Sequence, residues 1–541
     1  MEISGNIVDI EKKKIFPGKI IAENGIIIKI IPDNEVPEQF ILPGFVDAHV
    51  HIESSMLVPQ QFARLAIRQG TVGVVTDPHE IANVLGVEGI RYMMEDAEKS
   101  PLKIKFGVPS CVPATPFETS GAVIGAGEIE SLFRERKDLH LAEMMNYPGV
   151  IFRDREVMKK IEAAWKYHRI IDGHAPGVRG EDLEKYVEAG ISTDHECTDL
   201  AEAEEKIRRG MKILIREGSA AKNFEILAPL ISRYPEEVMF CTDDSHPDDL
   251  AEKHIRDMVR RAVRKGHDLW NVLQAAVVNP VKFYGLEVGL LRRGDPADFI
   301  VCRDLKEWDL LEVYIEGTRV YDGEKVLTGT TGTGIINRFE AEPLREEDLV
   351  VMAVRGKDIR VITVREGSLL TGEKVVKPLV KEGIVVSDPD RDILKIVVVN
   401  RYDKTAPLAV GFVSGFGMRQ GALASSISHD SHNLIAVGTD DREIVAALNG
   451  VIGEKGGIAV ARQGEVTVLP LPVAGLMSTE EGLVIAEKYR NINAVAHITG
   501  TTLQAPFMTL SLLALLVIPE LKIGDRGLFD VRKFGFTDLF V

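Results

Sequence analysis

Cysteine is scarce in this chain of 541 residues: Cys111, Cys197, Cys241 and Cys302 stand far apart and form no C-x-x-C pair. That excludes a disulfide framework and a thiolate zinc site, and it fits a reducing, cytoplasmic setting. An excess of positive charge is missing too. The 65 Lys and Arg stand against 82 Asp and Glu, a formal charge of −17, which opposes attraction to nucleic-acid phosphates or an anionic membrane surface. Neither nucleic acid nor membrane is therefore an expected partner; a small or neutral substrate fits better. No apolar run reaches the roughly 20 residues of a bilayer span. The longest, LLALLVI within FMTLSLLALLVIPEL, is cut by Pro519 and reads as a buried C-terminal helix. The opening MEISGNIVDIEKKKIFPGK has no apolar core ahead of a small-residue cleavage site, so it does not read as a secretory signal. With 45% hydrophobic and 27% charged residues, the composition is that of a globular protein.

What the chain does have is length and alternation. Single cores rarely exceed about 250 to 300 residues, so 541 residues make two to four domains. Residues 1–42 carry β-rich runs (NIVDI, KIIAE, GIIIKII) broken by Gly and Pro, a small antiparallel sheet that residues 286–328 would complete as one flanking β-sandwich domain. From 43 to 285, strand-like runs (GTVGVVTD, IKFGVPS, LHLAEMM, IIDGH, AGISTDH, EVMFCTDD) alternate with helical stretches (EGIRYMMEDAEKS, EDLEKYVEA, AEKHIRDMVRRAVRKG). This α/β alternation favours a distorted (β/α)8 TIM-like barrel, with an open doubly wound sheet as the alternative. TGTTGTG, residues 328–334, reads as a flexible linker. Residues 340–541 have their own β-runs and helices and make a separate C-terminal α/β domain.

In ILPGFVDAHVHIESSM, residues 41–56, a buried strand-like run ends in His49 and His51, with Asp47 before them and Glu53 after. In an extended segment residues i and i+2 share a side, so both imidazoles face one spot, as a metal site requires. Most of the other strand-like runs also end in His, Asp or Glu, and in a barrel those ends face one pocket. The ligand set is then His49, His51, Glu143, His174, His195 and Asp243. Imidazole and carboxylate donors suit Mn, Fe or Zn, and six of them are too many for one tetrahedral ion, which makes two ions the economical count. Each residue also has a plainer use: a packed core histidine, a salt-bridged Glu143, or a helix N-cap at Asp243 or Asp244. In DPHE, His79 and Glu80 follow the second barrel strand, where they reach a substrate or serve packing and capping. SHDSHN, residues 428–433, offers His429, Asp430 and His432 as another metal site, a lid or a surface turn. There is no P-C-x-x-C for a cytidine-type zinc deaminase, and HEIAN lacks the second histidine of H-E-x-x-H.

PGFVDAHVHIESS, the barrel-like alternation and GLLRRGDPADFIV together resemble the amidohydrolase superfamily of metal-dependent hydrolases. TDPHEIANVLG, PSCVPATPFETSGA, LAEMMNYPGV, DGHAPG, CTDDSHP and GALASSISHDSHNLIAVG resemble, more narrowly, the bacterial and archaeal adenine deaminases over essentially the whole chain. The resemblance implies that His49, His51, His174, His195 and Asp243 hold the metals, Mn first and Fe or Zn next. It puts Glu143 where many superfamily members carry a carboxylated lysine. It implies hydrolysis of adenine to hypoxanthine and ammonia by a homo-oligomer, a dimer, with Asp243 moving the proton; Asp244 shares that transfer or orients His246, and His79 serves on the purine side. Two other readings stay open: an amidohydrolase acting on another cyclic amidine or amide, such as a cytosine deaminase, and a metal-free scaffold.

Overall fold

The computed structural model describes residues 1–541 apart from Ala220 and Thr333. Strands β1 (Glu2–Asp9), β2 (Lys14–Glu23) and β3 (Ile26–Pro32) form an antiparallel meander. Asn24 and Gly25, both at positive φ (49° and 81°), turn β2 into β3, as Asn-Gly pairs do in tight hairpins. β4 (Phe40–Pro43) runs parallel to β1. At Gly44 the chain leaves this sheet, and only glycine fits, because a Cβ there would stand 2.3 Å from Val72 Cγ1.

Eight short strands follow: β5 (Phe45–Val50), β6 (Thr71–Thr76), β7 (Lys103–Val108), β8 (His140–Met144), β9 (Ile171–Gly173), β10 (Thr193–Asp194), β11 (Lys212–Arg216) and β12 (Val238–Cys241). β5 to β9 pair in parallel as one sheet and β10 to β12 as another. Parallel bridges Ile171–Ile191 and Val50–Asp243 join the two, closing a distorted (β/α)8 barrel. The last seam is locked by Asp47: Oδ1 accepts from Thr242 N (3.1 Å), Oδ2 from Thr242 Oγ1 (2.5 Å), and His254 Nε2 stands 3.2 Å from Oδ2. The aspartate ahead of the two histidines therefore closes the ring. The helix expected over 251–266 is two, Pro247–Glu252 and Ile255–Arg264.

β13 (Phe299–Cys302), β14 (Leu310–Ile315) and β15 (Thr318–Tyr321) return to the first sheet, giving the order β15-β14-β13-β4-β1-β2-β3. The following segment, expected to be a flexible linker, has no helix or strand among its described residues but is pinned. The Gln60 amide donates to Thr331 O and accepts from Thr331 N, both at 2.9 Å, and Arg64 donates to Thr328 O; Thr333 lies outside the described residues. Beyond it lies an eight-stranded mixed sheet. The helix Gly482–Ile498 lays Tyr489 against the barrel, its hydroxyl 2.9 Å from His246 Nδ1.

The apolar run FMTLSLLALLVIPEL is not one helix. The helix spans Pro506–Leu512 and then gives way to turns. Carbonyls that would continue it are taken from outside: Leu512 O accepts from Lys522 Nζ (3.0 Å) and Leu513 O from Ile523 N (3.0 Å). No helix among the described residues is long and apolar enough to cross a membrane.

Candidate active site

Side chains converge where the barrel strands end. His49 lies in β5 and His51 just beyond it, Glu143 lies in β8, His174 follows β9, His195 follows β10, and Asp243 comes two residues after β12, all buried. His49 Nε2 and His51 Nε2 are 3.2 Å apart, and Asp243 Oδ1 stands 3.5 Å from the first and 3.1 Å from the second. Glu143 spans the cluster: Oε1 is 3.4 Å from His51 Nε2, while Oε2 is 2.9 Å from His174 Nδ1 and 3.3 Å from His195 Nε2. Donor atoms around an ion at about 2.1 Å stand roughly 3.0 to 3.4 Å apart, and these separations match. His51 Nδ1 pairs with Asp77 O (3.0 Å), which places the proton there and leaves Nε2 a lone pair for a cation. The donor set, imidazole and carboxylate without thiolate, could hold divalent metal.

The electrostatics keep the carboxylates charged. Burial pushes Glu143 toward its neutral form, but His174, His195 and His51 outweigh it and hold the carboxyl well below its usual range. For Asp243, burial is overcome chiefly by Arg216 and then by His49 and His51. Asp243 sits at φ +56°, a left-handed conformation that costs energy and persists where surrounding structure enforces it; here its N–H donates to His49 O (2.9 Å) across the seam.

Sequence reasoning overlooked Arg216 and Glu196. Arg216 ends β11, the strand KILIR left out of the alternation above, and is buried. Its Nη1 donates to Asp243 Oδ2 (2.7 Å) and to Glu196 Oε1, and its Nη2 to Glu196 Oε2 (3.1 Å). Glu196 Oε1 lies 3.6 Å from His174 Nδ1 and 3.5 Å from His195 Nε2. The signals were available: an alternating β-branched run ending in a cation, and an acid next to His195.

Asp244 and His79 stand beside the six. Asp244 Oδ1 accepts from Ser54 Oγ (2.5 Å), and His246 Nδ1 pairs with the Tyr489 hydroxyl (2.9 Å). His79 Nδ1 pairs with Asp77 Oδ2 (3.1 Å) and its Nε2 faces Glu80 and Asp430. SHDSHN is no surface turn. It is the buried loop between strands Ala422–Ser425 and Leu434–Gly438, and it carries His429 and Asp430 into the barrel mouth.

His51, Glu143, His174, His195 and Asp243 line a pocket roofed by Leu369, Leu512, Leu515 and Ile518, with His79, Asp244, His429 and Asp430 in its wall. Polar groups below and apolar side chains above suit a flat heterocycle. Buried Lys522 ties the roof together, donating to Leu369 O (3.1 Å) and Leu512 O (3.0 Å); burial lowers its pKa to about 7. An unfolded lysine titrates near about 10.4, so between these values the unfolded state binds more protons and stability rises with pH. Lys522→Met removes that rise. Chemical denaturation at pH 7 and pH 10 therefore finds the variant losing ground to the parent as pH increases; a constant difference refutes this.

A family model described as "Amidohydrolase family" matches residues 40–320, and one described as "Adenine deaminase C-terminal domain" matches residues 368–535. The adenine deaminase of Methanosarcina mazei is 54% identical over 99% of this chain and 99% of its own length. That of Salinibacter ruber is 52% identical over 100% and 99%, and that of Borreliella burgdorferi 43% over 99% of each. Among solved structures, a β-aspartyl dipeptidase from Fervidobacterium islandicum AW-1 aligns with a TM-score of 0.46 at 17% identity, over 60% of this chain and 98% of that one. With these identities running end to end, the chain belongs to the adenine deaminases of the amidohydrolase family.

Proposed function

We propose that the chain hydrolyses adenine to hypoxanthine and ammonia, with a pair of divalent ions, manganese first among them, held by His49, His51, Glu143, His174, His195 and Asp243. The observation that carries it is Glu143, whose two oxygens face two different sets of imidazoles at the floor of the pocket. The names of the full-length relatives support adenine as the substrate. When bound, the ions would supply Lewis acidity that brings the pKa of water from about 15.7 to about 7.

The chain's own groups do the rest. Arg216 fixes Asp243 Oδ2, which orients the carboxylate and keeps it ionised as the base that takes a proton from the attacking water. Asp243 passes that proton to ring N1, then takes the second proton from the hydroxyl now on C6 and gives it to the amino nitrogen, so that the C6–N bond breaks as the C6 carbonyl forms and adenine and water become hypoxanthine and ammonia. Asp244, held by Ser54, and His79, held by Asp77, complete the wall facing the purine. The apolar roof excludes bulk water. We extend the proposal to the organisation into residues 1–42 with 286–328, 43–285 and 340–541, which sheet membership supports.

The test uses protein stripped with a chelator and then reloaded with Mn²⁺, followed by the ultraviolet change from adenine to hypoxanthine and by ammonia release. The stripped protein is expected to be inactive and the reloaded one active. Turnover of cytosine but not adenine would favour the cytosine-deaminase-like reading; activity untouched by chelation would end the metal reading.

A further inference from the structure

The pocket wall holds a second convergence of imidazole and carboxylate beside the six residues around Glu143, with His79 Nδ1 3.5 Å from Glu143 Oε1 where the two meet. His79 and Glu80 follow β6; His429, Asp430 and His432 come from the C-terminal loop. All five are buried. His79 Nε2 lies 3.5 Å from Glu80 Oε1 and 3.9 Å from Asp430 Oδ1, and His429 Nδ1 lies 2.6 Å and 3.7 Å from the same two oxygens. Four donors at the corners of a tetrahedron about 2.1 Å from its centre stand roughly 3.4 Å apart. The 3.5 and 3.7 Å separations lie near that figure, and the 2.6 Å one is a hydrogen bond from His429 to Glu80 whose proton an entering cation would displace.

Two independent features point the same way. Asp77 Oδ2 holds His79 Nδ1, which puts the proton on that nitrogen and turns the Nε2 lone pair toward the two carboxylates, as carboxylate–histidine–metal triads do. Asp430 Oδ2 is buried with no hydrogen-bond donor, an arrangement that is costly unless a charge is supplied; the Glu80 oxygens meet the ring nitrogens of His429 and His432.

We propose that His79 Nε2, Glu80 Oε1, His429 Nδ1 and Asp430 Oδ1 bind a further first-row divalent cation of the zinc or manganese type, separate from the pair at Glu143. His432 Nε2, against Glu80 Oε2, turns the carboxylate so that Oε1 faces the ion. Two ligands come from the barrel and two from the C-terminal loop, so the ion staples the loop onto the barrel mouth and closes that side of the pocket. The site does not rest on adenine being the substrate.

The full-length chain is loaded with Zn²⁺ alone, freed of excess metal by gel filtration, and analysed for bound zinc. Three equivalents per chain are expected, falling to two in the double variant Glu80→Gln/Asp430→Asn. A crystal of the zinc-loaded parent is expected to show an anomalous peak among the four named atoms, a readout that stands even if the variant does not fold. Two equivalents in the parent with no peak there, or three retained by a folded variant, overturn the site. Three equivalents and the peak in a protein that leaves adenine untouched support this site while ending the deamination reading.

Discussion

Asp243→Asn lowers kcat for adenine by about 10²- to 10⁴-fold, the range that a positioned general base contributes. Asn keeps the size of Asp and still offers Arg216 an acceptor, so the 2.7 Å contact to Oδ2 and the Val50–Asp243 seam survive and the fold is retained. What is lost is the basic carboxylate. Asn cannot take the proton from water, and as a neutral group it is a poorer donor beside His49 and His51. Steady-state kinetics on metal-loaded protein, with circular dichroism to confirm folding, measures this. A kcat within a few-fold of the parent would remove Asp243 from the chemistry and throw attention onto Asp244.

The largest effect on stability comes from Arg216→Met. Methionine fills much of the same space, but Glu196 and Asp243 are then left buried with their strongest partner gone. Breaking a buried ion pair from one side costs about 3 to 5 kcal/mol. The pH dependence has a definite sign. In the parent, Arg216 holds both carboxyls below their usual range, so their contribution is present above the ordinary carboxylate pKa and is lost as pH falls through the depressed folded value. In the variant both titrate higher, and protonation relieves the unpaired charge. The deficit is therefore greatest near neutrality and shrinks on mild acidification. Denaturant melts at pH 7 and pH 5 decide it; a deficit below about 1 kcal/mol, the scale of an exposed pair, or one that grows at pH 5, contradicts the assignment.

Much of the candidate site was legible because its imidazoles and carboxylates sit at strand ends. A two-residue period put His49 and His51 on one side, and alternation put Glu143, His174, His195 and Asp243 at the same end of a parallel barrel. Arg216 was hidden for a local reason: KILIR is five residues long and lies between stronger patterns. The C-terminal run misled for a different one. SLLALLVI has ample helix propensity, yet the strand Leu521–Gly524 and Lys522 capture the carbonyls a helix would use, and packing overrides a preference of only a few tenths of a kcal/mol per residue.

The sequence by itself determined the donor chemistry, nitrogen and oxygen without thiolate, and the strand periodicity that aims those donors at one end of the barrel. Periodicity is a local property of the backbone, so a reader of residues recovers it. Only the tertiary structure decided which oxygen of Glu143 meets which imidazole, that Arg216 holds Asp243, and that His429 and Asp430 stand beside His79 and Glu80. Those meetings depend on barrel closure and on a loop folded in from the far end of the chain, and contact between distant segments is set by the packing of the whole.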